Sequence, residues 1–358
     1  MVLENTLYVP TLSIRPAEMR GLEYLAQRTK DRMTPCFLLA PWVGSATLQK
    51  AVERLETAFP VGQYFLDLDR LYMPTNLDHA AQSTFVGLSA SDGSYRNWQN
   101  FIREVPRAMP VLQLRGLSSR EIIAQIEAFQ AMQKTFAVRI CDGRVPENVV
   151  ELVEALNTLG TADYALILDA GWTRNPLGAA AWYSGLLRGA LTTIDAQVPA
   201  VVSCTSIPKA YAHINGLEPV SFSNRRLVNQ VQAGANRARI IYGDWGSTRP
   251  RDPQGGGGRP PPRIDYSLDE AWCIARNPEE DWDFTRAAAA IVESDYWDGT
   301  TDQWAEEMIA ETAENEALGI NTAPLNVACR VNLHLHRQAF YGDVMPRGDD
   351  LDEPYEDI

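Results

Sequence analysis

The chain has 358 residues, 45% of them apolar and including 9 Trp, 13 Tyr and 10 Phe, enough to bury a large core as one α/β domain or two smaller ones. A formal charge of −14 and a pI near 4.8 argue against a broad basic face, and so against nonspecific nucleic-acid binding, while leaving room for a local arginine cluster that holds phosphate. Five scattered cysteines without Cys-x-x-Cys spacing, no basic-then-apolar leader and no apolar run near the roughly 18 residues of a membrane helix predict a cytoplasmic, non-membrane protein with buried thiols.

Short apolar runs of strand length begin, in chain order, at Tyr8 (YVPTLSI), Pro35 (PCFLLA), Tyr64 (YFLDLD), Pro110 (PVLQLRG), Phe136 (FAVRICD), Tyr164 (YALILDA), Pro199 (PAVVSCTSI) and Arg239 (RIIYGDW). Amphipathic stretches separate them. In the clearest, Ile122, Ile123, Ile126 and Phe129 recur at helical spacing behind Ser118, which with Glu121 three residues on forms a capping box. Another runs from Arg144 with Pro146 in its first turn and stops at Gly160. Helices between strands make the strand pairs parallel, because a parallel crossover needs about a dozen residues. Eight βα units in about 250 residues are the arithmetic of a TIM-like (β/α)8 barrel. A doubly wound parallel sheet shares the local pattern and is the alternative, although no Gly-x-Gly-x-x-Gly follows the first strand.

Beyond the eighth strand, residues 247–263 (STRPRDPQGGGGRPPPR) form a Gly/Pro-rich rim loop carrying Arg249, Arg251, Arg259 and Arg263, read either as a solvated linker or as a lid that brings arginines to an anion. RIDYSLDEAWCIAR then predicts a hairpin, DFTRAAAAIVESDYW the helix closing the last unit, and APLNVACRVNLHLHRQAFY a final helix docked on the barrel. Residues 1–340 thus make one domain with a C-terminal helical extension, followed by an acidic tail, 341–358, expected to be disordered.

Taken in order, YVPTLSIRPAEMRGLEYL, the following Thr-Pro-plus-apolar strand, YFLDLD, RIIYGDWGS and NLHLHRQAF resemble the Beta protein family of phage and bacterial genomes, over Tyr8 to Phe340. The resemblance implies a phage-related setting, beside genes of phage–host conflict, and no particular reaction. The Gly/Pro loop and the acidic tail carry nothing over.

In parallel α/β proteins ligands meet the C-terminal ends of the strands, so the polar residues there are the candidates. Alternation in YFLDLD puts Phe65, Asp67 and Asp69 on one face. Asp169 and Asp244 end the sixth and eighth strands, and Asp244, sharing a face with Ile240 and Tyr242, is expected at the barrel mouth. With Asp67, Asp69 and Asp244 as ligands of Mg²⁺ or Mn²⁺, Asp169 as a further acid/base group, and Arg115, Arg139, Ser203, Thr205, Lys209 and Trp245 around an anionic, phosphate-bearing ligand, the site would be a metal-dependent phosphoester hydrolase. The opposing reading is that Asp and Arg neutralise one another inside the barrel, Asp142 caps a helix, and Trp245 packs beneath the rim loop.

His79, His213, His334 and His336 match no zinc-hydrolase spacing; His334 and His336 are expected on a polar helix face, and Cys204 is read as a buried thiol rather than a nucleophile. Two functions stay open: a barrel enzyme for an anionic ligand, or a non-catalytic scaffold in phage–host conflict that binds a partner protein through Trp172, Trp245, Trp282, Trp297, Trp304, the rim loop or the tail.

Overall fold

A computed structural model describes residues 3–142, 146–160, 163–222, 224–235, 237–252, 260–299 and 302–343; all four glycines of the rim loop, Arg259 and nearly all of the acidic tail lie outside the described residues. The apolar runs form β1 (Tyr8–Ser13), β2 (Cys36–Leu39), β3 (Tyr64–Leu68), β4 (Ala108–Pro110), β5 (Phe136–Cys141), β6 (Tyr164–Trp172), β7 (Ala200–Thr205), β8 (Gly216–Ser221), β9 (Ile240–Asp244), β10 (Ile264–Ser267) and β11 (Ala271–Arg276). Eight of them make one parallel sheet in the order β4-β3-β2-β1-β9-β7-β6-β5. Every strand lies beside its chain neighbours, since β8 belongs to a separate sheet, and the two ends of the row meet. That is the order of a TIM-like barrel; a doubly wound sheet would reverse direction from a central strand.

Among the described residues, the seam between β4 and β5 carries a single isolated bridge, Val111 to Ala137, with Leu112 N donating to Ala137 O at 2.9 Å. Pro110 explains part of this. It has no N–H to give to a ladder, and β4 is three residues long, ending where the sequence pattern places its start.

Both faces of the strands are buried, as a barrel with an outer helical layer requires. Val9, Phe65, Val111, Ala165, Ile167, Val201 and Ile241 fill the interior, while Tyr8, Phe37, Leu66, Leu166, Val202 and Tyr242 pack outward on the helices. The expected capping box forms: Ser118 N and Oγ both donate to Glu121 Oε2, at 2.9 and 2.7 Å, opening the helix Ser119–Ala131. Gly160 ends the helix Val149–Leu159 in the left-handed conformation. Asp142, expected as a helix cap, is not one; Asn148 stands at the N-cap of that helix.

The remaining strands form an antiparallel sheet, β10-β11-β8, including the expected hairpin. Here one expectation is corrected. The helix Phe284–Val292 does not close the last barrel unit; Phe284, Ala287, Ala288 and Ile291 pack on β10 and β11 and on the helix Trp304–Glu314 in a second apolar core. The last barrel position belongs to the helix Ala323–Ala339, buried almost all round. Val331, Leu335 and Ala339 face the barrel core, and Leu325, Cys329 and Leu333 face the second core, so this helix joins the two.

It also approaches the helix Pro16–Glu23 closely at Gly21, where a Cβ would lie 2.5 Å from Ala328 O, and Asn332 Nδ2 donates to Gly21 O at 3.0 Å. A backbone oxygen cannot swing aside. Gly21→Val should therefore lower unfolding free energy by about 1–3 kcal/mol, the usual cost of overpacking, as read by urea denaturation.

Candidate functional site

Alternation carries Asp67, Arg139 and Asp169 to the interior from β3, β5 and β6, above the apolar layers. Arg139 Nη1 meets Asp67 Oδ2 at 2.9 Å, and Nη2 meets Asp169 Oδ2 at 2.6 Å. Each carboxylate has further donors. Gln113 Nε2 reaches Asp67 Oδ1 at 2.8 Å; Trp245 Nε1 and Gly171 N reach Asp169 Oδ1 at 2.9 and 2.8 Å. The Arg139 guanidinium lies 5.6 Å from the Trp245 ring centroid. Burial alone would lower Arg139, but Cys141, Asp169 and Asp67 hold it well above its ordinary value, so it stays charged. Gln113 itself is clamped, exchanging bonds of 3.0 Å each way with Gln125 and accepting from Arg70 Nη2 at 2.9 Å.

Residues 247–252 then cross the mouth. Thr205 Oγ1, at the end of β7, donates to Thr248 O at 2.9 Å; Pro250 lies over Gly171; and Arg15 Nη2, beyond β1, donates to Arg249 O at 3.2 Å. Arg251 ends the crossing in an ion pair with Asp69 beyond β3, its guanidinium 5.4 Å from the Tyr72 ring centroid. Asp67, Asp69 and Asp169 are each 2% exposed or less. Trp245 does pack beneath this segment, with Thr248 N and Oγ1 both bonded to its carbonyl at 2.8 Å.

Asp244 departs from expectation. It shares a face with Ile240 and Tyr242 as alternation requires, but that face is the outer one; Ile241, Gly243 and Trp245 point inward. Its carboxylate sits between the barrel wall and the helix Ala323–Ala339, accepting from Tyr8 Oη at 2.5 Å, Tyr242 Oη at 2.8 Å and Gly246 N at 2.8 Å, and meeting His334 Nε2 at 2.7 Å. Burial pushes the carboxyl up, and His334, Tyr8 and Gly246 outweigh it and hold Asp244 below its ordinary value. His334 and His336 are buried, 1% and 0% exposed, rather than on a polar face.

The three carboxylates expected to share a metal thus face three different partners: Arg139, Arg251 and His334. Among the described residues no group of three His, Cys, Asp or Glu side chains is placed to hold a metal ion.

A family model, the Beta protein, matches residues 8–340. The chain belongs to the Beta protein family. It is 27% identical to "Protein beta" of Enterobacteria phage P4 over 359 residues, covering 98% of each chain. Among the described residues of this family member, no helix is long and apolar enough to cross a membrane.

The other candidates lie around this network. Ser203 faces the interior with its Oγ buried and without a hydrogen-bond partner among the described residues, as do Thr11 and Ser13 of β1. Arg115 is exposed, and the interior position that its strand supplies is Gln113, two residues earlier. Lys209 Nζ lies 4.2 Å from the Trp172 ring centroid. Burial pushes the Cys204 thiol up to about 12, which leaves it protonated at neutral pH and a poor nucleophile.

Two outcomes follow. Arg139→Met removes the partner of two buried carboxylates and should cost about 3–5 kcal/mol in urea unfolding, whereas Arg115→Met should change stability by about 0.5 kcal/mol or less. His336, whose Nδ1 is 2.9 Å from Thr29 Oγ1, is lowered to about 4 by burial and by Arg28 and Arg337. Its folded value lies below the unfolded 6.5, so the unfolded chain takes the proton first. Its contribution to stability is full above about pH 6.5 and is lost as the pH falls toward 4, by at most about 3 kcal/mol. Thermal unfolding from pH 7.5 to 4 should show a flatter profile in His336→Gln than in the wild type.

Proposed function

We propose that this protein is a non-catalytic scaffold that docks a partner protein on the C-terminal rim of its barrel, in the cytoplasm and in the phage–host setting of its family. One contrast supports the reading. The charged groups Asp67, Asp69, Arg139 and Asp169 at the strand ends are paired with one another or with Arg251 of the crossing segment, while large apolar side chains stand in solvent around them. Val43 is 74% exposed, Met73 67%, Leu77 62%, Val150 61% and Leu177 69%. All five lie on the connections that leave the C-terminal ends of β2, β3, β5 and β6, or in the first turn of the helices they enter. Solvated aliphatic side chains gathered on one rim are costly unless a partner covers them.

A hydrolase acting on a phosphoester would use the same end differently. It would need Asp67, Asp69 or Asp169 released from Arg139 and Arg251 to hold Mg²⁺ or Mn²⁺.

The double variant Met73→Asp/Leu77→Asp, all on exposed loop positions, should unfold within about 0.5 kcal/mol of the wild type. Affinity copurification from a bacterial lysate is expected to yield a protein retained by the wild type and by Asp169→Asn but lost with the double variant. Metal-dependent phosphoesterase activity that disappears in a folded Asp169→Asn protein would contradict the scaffold reading.

A further inference from the structure

Beside the sealed mouth, where the crossing segment meets the small sheet, arginines gather around too few acids. Arg263 and Arg330 both bind Asp265, which is fully buried. Arg263 also stacks on Tyr211, its guanidinium 3.9 Å from the ring centroid, and Arg276 Nη1 donates to Tyr211 O. Arg330 Nε donates to Ser247 O at 3.1 Å, which brings the start of the crossing segment, and with it Arg249, into the group. Arg249 is half-buried, and among the described residues its guanidinium has no hydrogen-bond partner. Its charged neighbours are Arg330 and Arg263, which repel it, and Asp252, which attracts it.

The surroundings are rich in donors. Ser247 is 2% exposed and held at φ 64°, and its Oγ is buried without a partner among the described residues. The Tyr211 hydroxyl lies in the field of Arg330, Arg263 and Arg249. Among the described residues, four guanidiniums, of Arg249, Arg263, Arg276 and Arg330, stand against two carboxylates, of Asp252 and Asp265. In a chain of net charge −14 such a local excess of two positive charges is not a by-product of composition. Two surplus charges, one uncommitted planar fork and a buried hydroxyl donor match a tetrahedral dianion.

We infer that Arg249, Arg263, Arg330 and Ser247 form a binding site for the phosphate group of a small phosphate-bearing ligand, at the junction of the barrel rim and the β10-β11-β8 sheet. Asp265 sets the geometry, holding Arg263 and Arg330 on its two carboxylate oxygens, and the bond from Arg330 Nε to Ser247 O ties that pair to the segment that carries Arg249. Arg249 closes the site as the arm whose guanidinium has no hydrogen-bond partner among the described residues. The site uses none of the five exposed apolar residues of the rim, so it stands or falls independently of partner docking there.

The test uses the full chain with inorganic phosphate and glycerol 3-phosphate as probes and potassium chloride at matched ionic strength as the control. Thermal unfolding of the wild type should rise saturably with either probe and not with chloride, and calorimetric titration should give the affinities. Arg249→Gln should weaken phosphate binding by at least about 10-fold, since a charge-assisted bond to a dianion is lost. Without ligand it should melt at or above the wild-type temperature, because it relieves repulsion from Arg263 and Arg330. Ser247→Ala should weaken binding less, by about 3-fold or more. Tighter binding of glycerol 3-phosphate than of phosphate indicates an ester ligand, and equal binding indicates a site that reads phosphate alone; both support the site. It is overturned if the wild type shows no saturable response beyond the chloride control, if Arg249→Gln binds as tightly as the wild type, or if Arg249→Gln is markedly destabilised without ligand, which would make Arg249 a structural partner.

Discussion

The ion pair between Arg139 and Asp67 closes the barrel where the backbone does not. β4 is too short and too proline-limited to build a ladder with β5, and among the described residues the main chain supplies one bridge, between Val111 and Ala137. Side chains take over: Arg139 of β5 reaches past β4 to Asp67 of β3, and Gln113, just after β4, bonds the same carboxylate from between them. Such a contact, buried in an interior of low effective dielectric, is costly to break, because either partner alone would be left as an uncompensated charge. The charges at the strand ends, which in many barrels meet a ligand, are here part of the closure.

The same logic extends outward. Asp169 neutralises the other arm of Arg139 and fixes the Trp245 indole, Trp245 anchors the turn after β9, and the chain that follows crosses the mouth to pair Arg251 with Asp69. On the outside of β9, Asp244 collects Tyr8, Tyr242 and His334, tying the helix Ala323–Ala339 to the wall, and Arg330 of that helix reaches Ser247 and Asp265. One helix therefore connects the barrel, the crossing segment and the small sheet. Outside this network stand the exposed apolar residues of the rim and the arginine group beside the mouth.

Much of the architecture was readable in the residues. Eight β-branched and aromatic runs separated by amphipathic stretches specify the strands, Ser118 and Glu121 mark a helix start, and the phase of Phe65, Asp67 and Asp69 is that of the structure. The sidedness of β9 was not readable, for a physical reason. A strand covered on both faces is apolar on both, so Ile240 and Tyr242 look no less interior than Ile241 and Gly243, and nothing local says which face carries Asp244. The closing helix was hidden by its own buried polar groups. Asn326, Arg330, Asn332, His334 and His336 make Ala323–Ala339 read as a half-solvated helix, while the alanine-rich Phe284–Val292 looks like the better barrel partner. Gln113 is masked by its apolar neighbours, and the signal that marks it is a polar residue at an inward position of a strand.

The central claim, that Asp67, Arg139, Asp169 and Trp245 form a sealed structural network, is tested most directly by hydrogen exchange at the Trp245 indole, followed by NMR on protein labelled at tryptophan. If the network is sealed, the Trp245 Nε1 proton bonded to Asp169 exchanges only on global unfolding, with protection matching the slowest backbone amides of β6 and β9. Exchange as fast as that of solvent-exposed indoles, in a protein whose β6 and β9 amides remain protected, would contradict the account and return the barrel mouth to the status of an open site.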